Sequence, residues 1–390
     1  MSVRFLTAVS GRAFNMRDRF GREIDYMRIS VIDSCNLNCY YCNPCDNNEH
    51  CHALNILSVK EVLCIVRAAT RLGIKHFRLT GGEPLLHPQL DEMVLQIKKI
   101  PGVSSVSLTT NAVLLVQHAK WLKEAGIDSI NVSLDTIDAS EYERITKKPL
   151  LEEVKNGINA AIECGIRVKI NVVLTPQTDV VALTRYAAKK GTDIRFIEMM
   201  PVGEGHTNGV EPYKKVIGTL SKLYGEPCRI NTEKTKEINS GNDKRKIPDN
   251  GPAEYYIFPE LGIRVGLIQA IHGKFCDTCN RIRVTADGRL MPCLGSSVTM
   301  DLVPDSWDFA DDVEKDFAIV RALRAAIKAK PKCHNFSDEE VLQPESVMYN
   351  TNKNNESENA VTYKKTTEIK ITEIKAAGAD AARNMSRIGG

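Results

Sequence analysis

Apolar and polar positions between residues 26 and 200 follow two alternating periods. Helical spacing runs through Glu61-Val62-Leu63-Cys64-Ile65-Val66 and stops at Gly73, with Ser58 and Glu61 forming a capping box in front. The β-rich run His76-Phe77-Arg78-Leu79-Thr80 comes next. The same order of helix, glycine and strand returns at 121–126 before 130–134, at 154–165 before 168–173, and at 180–191 before 194–198. A helix over 90–100 precedes a strand over 106–110, and the run Tyr26-Met27-Arg28-Ile29-Ser30-Val31-Ile32 opens the series. Helix alternating with strand predicts parallel βαβ units, and about six strands suit an α/β fold built as an incomplete TIM-like (β/α)6 barrel. Chemistry in such folds collects at the C-terminal ends of the strands. Cys35, Gly81-Gly82-Glu83, Thr110-Asn111, Asp135 and Glu198 stand at those ends.

The pattern changes after Pro201. A helix is predicted over 211–224, a polar surface loop over 231–251, and short strands over 254–258, 263–268, 281–285 and 289–291, the last two joined by the turn Ala286-Asp287-Gly288. A helix over 314–329 ends before Pro331, and 337–382, rich in Asn, Glu, Lys and Thr, reads as a flexible segment. The expected organisation is an N-terminal segment 1–25, a barrel 26–203, a C-terminal extension of short strands and helix 204–336, the segment 337–382, and a tail 383–390 ending Gly389-Gly390.

Charge and composition narrow the partners. With 52 basic and 49 acidic residues the net charge of +3 is too small to point to a nucleic-acid polymer, so a bound anion must be held by placed arginines. No apolar run approaches the roughly 20 residues that cross a bilayer, and the N-terminus does not read as a secretory signal. A cytoplasmic location with no membrane partner follows as the expectation. In that reducing setting the 12 cysteines serve metals and catalysis more than cross-links.

Six of them form two triplets. Cys35, Cys39 and Cys42 are spaced C-x3-C-x2-C on the loop after the first strand; Cys276 and Cys279 are paired C-x2-C, with Cys293 returned by the hairpin. Three thiolates can hold a cubane iron–sulfur cluster and leave one iron open to a non-protein ligand. A structural zinc site is the other reading; it needs a fourth ligand, which Cys333 or His334 could supply at the second triplet. Cys64 and Cys164 sit in helical apolar patterns as core fillers, and Cys45 with His50-Cys51-His52 forms a further group that could bind metal.

The C-x3-C-x2-C loop followed by Gly81-Gly82-Glu83-Pro84 resembles the radical S-adenosylmethionine (SAM) enzymes. The second triplet, the run Asn280-Arg281-Ile282-Arg283 and the Gly-Gly end narrow that resemblance to the GTP 3′,8-cyclase family, which starts molybdenum cofactor biosynthesis. The resemblance covers about residue 18 to Cys293 and returns at the final residues. It implies two [4Fe–4S] clusters, on Cys35/Cys39/Cys42 and on Cys276/Cys279/Cys293, with SAM chelated at the open iron of the first. Tyr41, Gly82, Ser133 and Met200 match positions that line the SAM site. Arg28, Arg78, Thr109, Lys169, Arg281 and Arg283 match substrate positions, with Arg195 a further candidate. GTP would lie between the clusters, its base at the second, and be converted through a 5′-deoxyadenosyl radical to (8S)-3′,8-cyclo-7,8-dihydroguanosine 5′-triphosphate. Gly389-Gly390 matches a terminus that reaches into the active site. The resemblance also implies hand-over to a cyclic pyranopterin monophosphate synthase and admits a homodimer; it leaves the electron donor unidentified. The chain departs from the family pattern at Asn43-Pro44-Cys45, at His76 where lysine is common, at Ala112 where glycine is common, and at Thr175-Pro176-Gln177. A peptide-modifying radical SAM enzyme and a zinc-stabilised binding scaffold are the competing readings; the paired arginines and the Gly-Gly end favour a nucleotide.

Overall fold

The computed structural model describes residues 16–42, 55–202, 210–230, 251–302, 312–334 and 336. Its first half alternates strand and helix: β1 (Tyr26–Ser30), α1 (Val59–Arg71), β2 (His76–Thr80), α2 (Leu90–Lys98), β3 (Ser105–Thr110), α3 (Leu115–Glu124), β4 (Ser129–Ser133), α4 (Ala139–Thr146), α5 (Leu151–Glu163), β5 (Val168–Val173), α6 (Val180–Lys189) and β6 (Asp193–Ile197). The second half adds a π-helical turn at Tyr213–Ile217, α7 (Gly218–Tyr224), β7 (Cys228–Arg229), β8 (Glu254–Ile257), β9 (Arg264–Ile268), β10 (Arg281–Val284), β11 (Arg289–Met291), β12 (Met300–Asp301) and α8 (Asp312–Ala329).

The described strands form one 12-stranded sheet in the order β12-β11-β10-β1-β2-β3-β4-β5-β6-β9-β8-β7. From β10 through β1 to β6 and on to β9 every neighbouring pair is parallel. Antiparallel strands continue both flanks, and the sheet does not close on itself. Strands of the second half therefore pair with both edges of the six-stranded unit, covering backbone groups that β1 and β6 would otherwise leave open. This docking, invisible to local periodicity, brings the arginines of β10 beside Arg28 of β1.

Each central strand has one apolar and one polar face. Met27, Ile29, Phe77, Leu79, Val106, Leu108, Ile130, Val132, Ile170, Ile194 and Phe196 are fully buried in a single core with the apolar stripes of the helices. Each contributes about 1.5–3 kcal/mol by leaving water. Side chains alternate along a strand, so Arg28, Arg78, Ser107, Thr109, Asn131, Lys169, Arg195 and Arg283 share the opposite face. A parallel strand buried on both sides is normally apolar throughout. The polar second face marks a lined site.

Short strands β7 and β12 form where the sequence reading predicts none, and two helical elements also depart from it. The periodic pattern predicts nothing over 139–146, yet α4 forms there, opened by Asp138, whose carboxylate accepts from the Glu141 amide at 2.8 Å. With only Tyr142 and Ile145 as its large buried apolar residues the helix is set by its cap more than by an apolar stripe. The predicted helix over 211–224 opens with the π turn instead of regular α geometry. Among the described residues no helix is long and apolar enough to cross a membrane.

Candidate active site

The first cysteine loop leaves β1 and is clamped by the C-terminal ends of three neighbouring strands. After β2, the Gly82 amide donates to the Ile32 carbonyl at 2.8 Å and the Glu83 amide to the Ser34 carbonyl at 2.7 Å. After β3, Asn111 Nδ2 donates to Asn36 Oδ1 at 2.7 Å and lies 3.8 Å from Cys35 Sγ. After β4, Asp135 accepts from the Tyr41 hydroxyl and, through its other oxygen, from the Val173 amide at 2.8 Å. The end of α4 completes the clamp: the Asn38 and Tyr40 amides donate to the Thr146 and Ile145 carbonyls at 3.0 and 3.1 Å. Asp135, Asn111 and α4 were visible in the sequence as strand ends or not at all; their grip on the cysteine loop needs the fold.

Gly82 has a definite reason to be glycine. A Cβ there would stand 2.3 Å from the carbonyl oxygens of both Asp33 and Ser34. Gly82 thus packs tightly against the cysteine loop's own backbone, a constraint separate from any closeness to SAM. Gly82→Ala is expected to destabilise the chain by on the order of 3 kcal/mol, the upper part of the overpacking range, read as a lower denaturation midpoint. A midpoint within error of wild type would contradict that packing.

Glu83, fully buried, accepts from Thr110 Oγ1 at 2.7 Å, the Leu85 amide at 3.0 Å and the Asn111 amide at 2.7 Å. Burial pushes its carboxyl up to about 7 even though those three donors pull it down. The folded chain therefore holds a proton that the unfolded chain releases near pH 4.5, so the stability tied to this group is present at low pH and falls as pH rises from 4.5 to about 7. The stability of wild type relative to Glu83→Gln should drop by about 3 kcal/mol across that window, measured by denaturant titration. A pH-independent difference would show that folding leaves this carboxyl unshifted.

The three thiols of the loop press on one another. Loss of water around the thiol pushes Cys35 up to about 11, with the Glu83 charge adding to it. Burial, then Cys35 and Asp135, push Cys42 up to about 12, and burial with Cys42, Asp135 and Cys35 drives Cys39 well above the usual thiol range. Three crowded thiolates are stable only when a cation neutralises them, so the donor set fits an iron–sulfur cluster. Among the described residues, no His, Cys, Asp and Glu side chains converge on a single-ion site.

The second triplet stands at the other end of the same sheet face. Tyr26 of β1 is in register with Arg281 of β10, so Cys279 lies below the start of β1, whereas Cys35 lies beyond its end. Along the strand the span is on the order of 20 Å at about 3.3 Å per residue. Cys293 follows β11 two residues past the rung Arg283↔Met291, on the side of Cys279, as the hairpin predicts. Cys293, Cys279 and Cys333 all lie close enough to Cys276 to act on it electrostatically. Burial raises Cys279, but Arg281 and Lys330 more than offset it and bring that thiol down to about 6. Of the two candidate fourth ligands, His334 is committed elsewhere: Nε2 bonds the Ala270 carbonyl at 2.8 Å, and Nδ1 accepts from the Phe336 amide at 3.3 Å.

Between the triplets runs a row of guanidinium groups. Arg283, Arg28 and Arg78 are paired in register across β10, β1 and β2, at strand spacings of about 4.8 Å. Burial and the neighbouring Arg281 bring Arg283 down to about 10, and burial with Arg283 and Arg78 pulls Arg28 well below its usual range. Arg78 donates from Nε to the Tyr26 hydroxyl and lies 3.3 Å, through Nη1, from Thr109 Oγ1. Further along, Lys169 is in register with Asn131, and Arg195 Nε donates to Asn171 Oδ1 at 2.9 Å, lying over Gly266, where a Cβ would come within 2.8 Å of the Arg195 side chain. Ser30 Oγ, Asn131 Oδ1 and Arg283 Nη1 are buried without a hydrogen-bond partner among the described residues. Buried cations and unsatisfied polar atoms on one face fit an anionic ligand. His76, in contrast, is turned to Ser105 Oγ at 2.8 Å.

The predicted SAM positions sit at strand ends: Tyr41 in the cysteine loop, Gly82 after β2, Ser133 closing β4, and Met200 after β6. A buried carboxylate that the sequence reading placed only by position, Glu198, accepts from the Ile271 and His272 amides at 2.7 and 3.2 Å and pairs with the His272 ring. Gly389, Gly390, Cys45, Cys51, His50 and His52 lie outside the described residues, as do 337–382.

Comparison with known proteins shows the family. Residues 29–183 match the Radical SAM superfamily and residues 192–336 match Molybdenum Cofactor Synthesis C. A GTP 3′,8-cyclase of Clostridium perfringens is 35% identical over 337 residues, covering 86% of this chain and 99% of its own length. One from Pelotomaculum thermopropionicum is 36% identical over 327 residues, 82% of this chain and 95% of that one. The fold is shared with Streptococcus suis SuiB, solved with its precursor peptide SuiA, at a TM-score of 0.52 and 13% identity over 78% of this chain and 68% of that chain. Two family matches in tandem, with curated relatives aligned along nearly their full length, leave one conclusion: the chain belongs to the GTP 3′,8-cyclase family of radical SAM enzymes.

Proposed function

We propose that the chain, a lyase by reaction class, converts GTP to (8S)-3′,8-cyclo-7,8-dihydroguanosine 5′-triphosphate, the first step of molybdenum cofactor biosynthesis. The observation that carries this reading is the in-register row Arg283–Arg28–Arg78 on the polar face between two cysteine triplets. Like charges side by side under burial repel one another and call for a polyanion. Guanidinium forks meet phosphate oxygens bidentately, which suits a triphosphate.

Cys35, Cys39 and Cys42 would hold the first [4Fe–4S] cluster, and Cys276, Cys279 and Cys293 the second. With SAM bound, the first cluster would supply the electron that releases a 5′-deoxyadenosyl radical. The protein's own work is positional. Tyr41, Gly82, Ser133 and Met200 hold SAM at the C-terminal ends of the strands. Arg28, Arg78, Arg281 and Arg283, with Thr109, Lys169 and Arg195, hold the triphosphate and turn the ribose toward the first triplet, while the base lies at the second. A polar face of this kind, once occupied by the ligands, orders the reacting atoms and excludes water. Gly389 and Gly390 would contribute to the active site, as the family resemblance implies, so truncation of the pair should lower product formation. Residues 26–203 act as the SAM-binding unit, 204–336 as the unit that brings the second cluster, and 337–382 as the link to the tail. The product passes, in the cytoplasm, to a cyclic pyranopterin monophosphate synthase.

The test is anaerobic reconstitution followed by incubation with reductant, SAM and GTP. About eight irons per chain and a cyclised guanine nucleotide by mass spectrometry are expected. Full iron loading with SAM cleavage but no such product would refute the substrate assignment, and only four irons would remove the second cluster.

A further inference from the structure

The second cysteine triplet is mounted on the end of α8 by two buried cations. Lys330, 3% exposed, follows α8 directly, and its Nζ donates to the Arg281 carbonyl at 2.8 Å and the Pro292 carbonyl at 2.9 Å. Arg281 lies two residues past Cys279, and Pro292 immediately precedes Cys293. Arg22 reaches the third cysteine: its Nη1 donates to the Cys276 carbonyl at 2.7 Å and the Lys332 carbonyl at 2.9 Å, and its Nη2 donates to the Pro331 carbonyl at 2.6 Å. Each arm of the triplet is thereby tied, through a backbone carbonyl, to residues 330–332.

The two cations differ in how their charge is compensated. Arg22 has Asp18, 2.5 Å from its Nε, and both side chains are buried. Lys330 makes no ion pair with a carboxylate among the described residues; its two acceptors are neutral carbonyls. A buried ammonium left in that state costs several kcal/mol. The opposite charges near it are those of Cys279 and Cys293, while Arg22 and Arg281 add positive charge. A lysine placed there is stable when the thiols beside it are thiolates, which is their state as iron ligands.

We propose that Lys330 is a positioning residue of the second cluster, bridging the arms that carry Cys279 and Cys293 and offsetting the thiolate charge so that the cluster accepts an electron more readily. The inference rests on the reading that this triplet carries a cluster. Reduction adds one electron to the cluster and moves no proton, so a fixed positive charge nearby favours the reduced form and raises the potential. Lys330 also explains why α8 ends where it does: its ammonium must stay between the two carbonyls, and Pro331 stops the helix one residue later.

The test uses the full chain with Cys35→Ser, Cys39→Ser and Cys42→Ser, so that only the second cluster is loaded, and compares it with the same chain carrying Lys330→Met or Lys330→Arg. Iron content and an EPR-monitored redox titration with dithionite are the readouts. In the parent, absence of bound iron would overturn the cluster reading itself. With about four irons in the parent, Lys330→Met is expected to shift the one-electron reduction equilibrium at least tenfold toward the oxidised form, about 59 mV. Alternatively it loses the cluster while retaining native circular dichroism. Lys330→Arg, which keeps the charge, is expected to remain within threefold of the parent. A Lys330→Met protein with four irons and an unchanged potential would overturn the proposal and leave the cluster reading intact. Should Lys330→Met not fold, Lys330→Gln, which keeps a donor and removes only the charge, is read by the same two outcomes.

Discussion

Replacing Cys35 with alanine is expected to reduce reductive cleavage of SAM at least about a thousandfold, to assay background. The size follows from the geometry of the loop. Three thiolates are the only protein ligands proposed for the first cluster, and the chelated iron needs the other three corners held. The described part of the loop, residues 31–42, is held in place, because Gly82, Glu83, Asn111, Asp135 and the end of α4 all bond to it. Cys64 is buried in the core, with its sulfur 3.2 Å from the Arg67 guanidinium, and is not available. The check is paired: iron content after anaerobic reconstitution and 5′-deoxyadenosine by liquid chromatography. A Cys35→Ala protein that retains SAM cleavage would show that a different sulfur holds the iron.

Loss of Arg283 is the second large effect. Arg283→Met should lower affinity for GTP by 10- to 100-fold and cut the cyclised product correspondingly, since a charge-assisted hydrogen bond is worth about 1.5–3 kcal/mol. Its effect on folding should run the other way. Arg283 is buried, its Nη1 has no hydrogen-bond partner among the described residues, and it stands in register with Arg28 and two residues from Arg281. Removing one guanidinium from that row relieves repulsion and desolvation, so the ligand-free protein should be as stable as wild type or more so. Arg283 and Arg28 are neighbours, so the double variant should lose less than the product of the single effects. Isothermal titration calorimetry with GTP and denaturant unfolding of the ligand-free chain separate the two. A variant that is destabilised yet binds GTP normally would make Arg283 a structural residue and remove the anion row as the basis for substrate choice.

Much of the site could be read one strand at a time. Period-2 and period-3.6 patterns locate β2, β5 and β11 to the residue and most other elements to within a few positions. Where the apolar signal is thin, as in α4, periodicity does not reveal the helix although its carbonyls hold the cysteine loop. Motif spacing marked both triplets. Spacing does not exclude His334 as a fourth ligand; that depends on the Ala270 carbonyl, distant in the chain, taking the imidazole. Nor could spacing assign work to Lys330 or Arg22, whose partners are backbone carbonyls and carry no sequence signature.

Chain order by itself determined the alternating elements, the two thiol triplets and the arginines on alternate strand positions, because each depends on residues within a few positions of one another. Tertiary structure decided that β10 lies against β1 and β9 against β6. Only that pairing sets Arg283 beside Arg28 and stations the triplets at the two ends of one polar face. Strand pairing of this range is won by covering open sheet edges and burying apolar faces, energies summed over the whole sheet that no local pattern records.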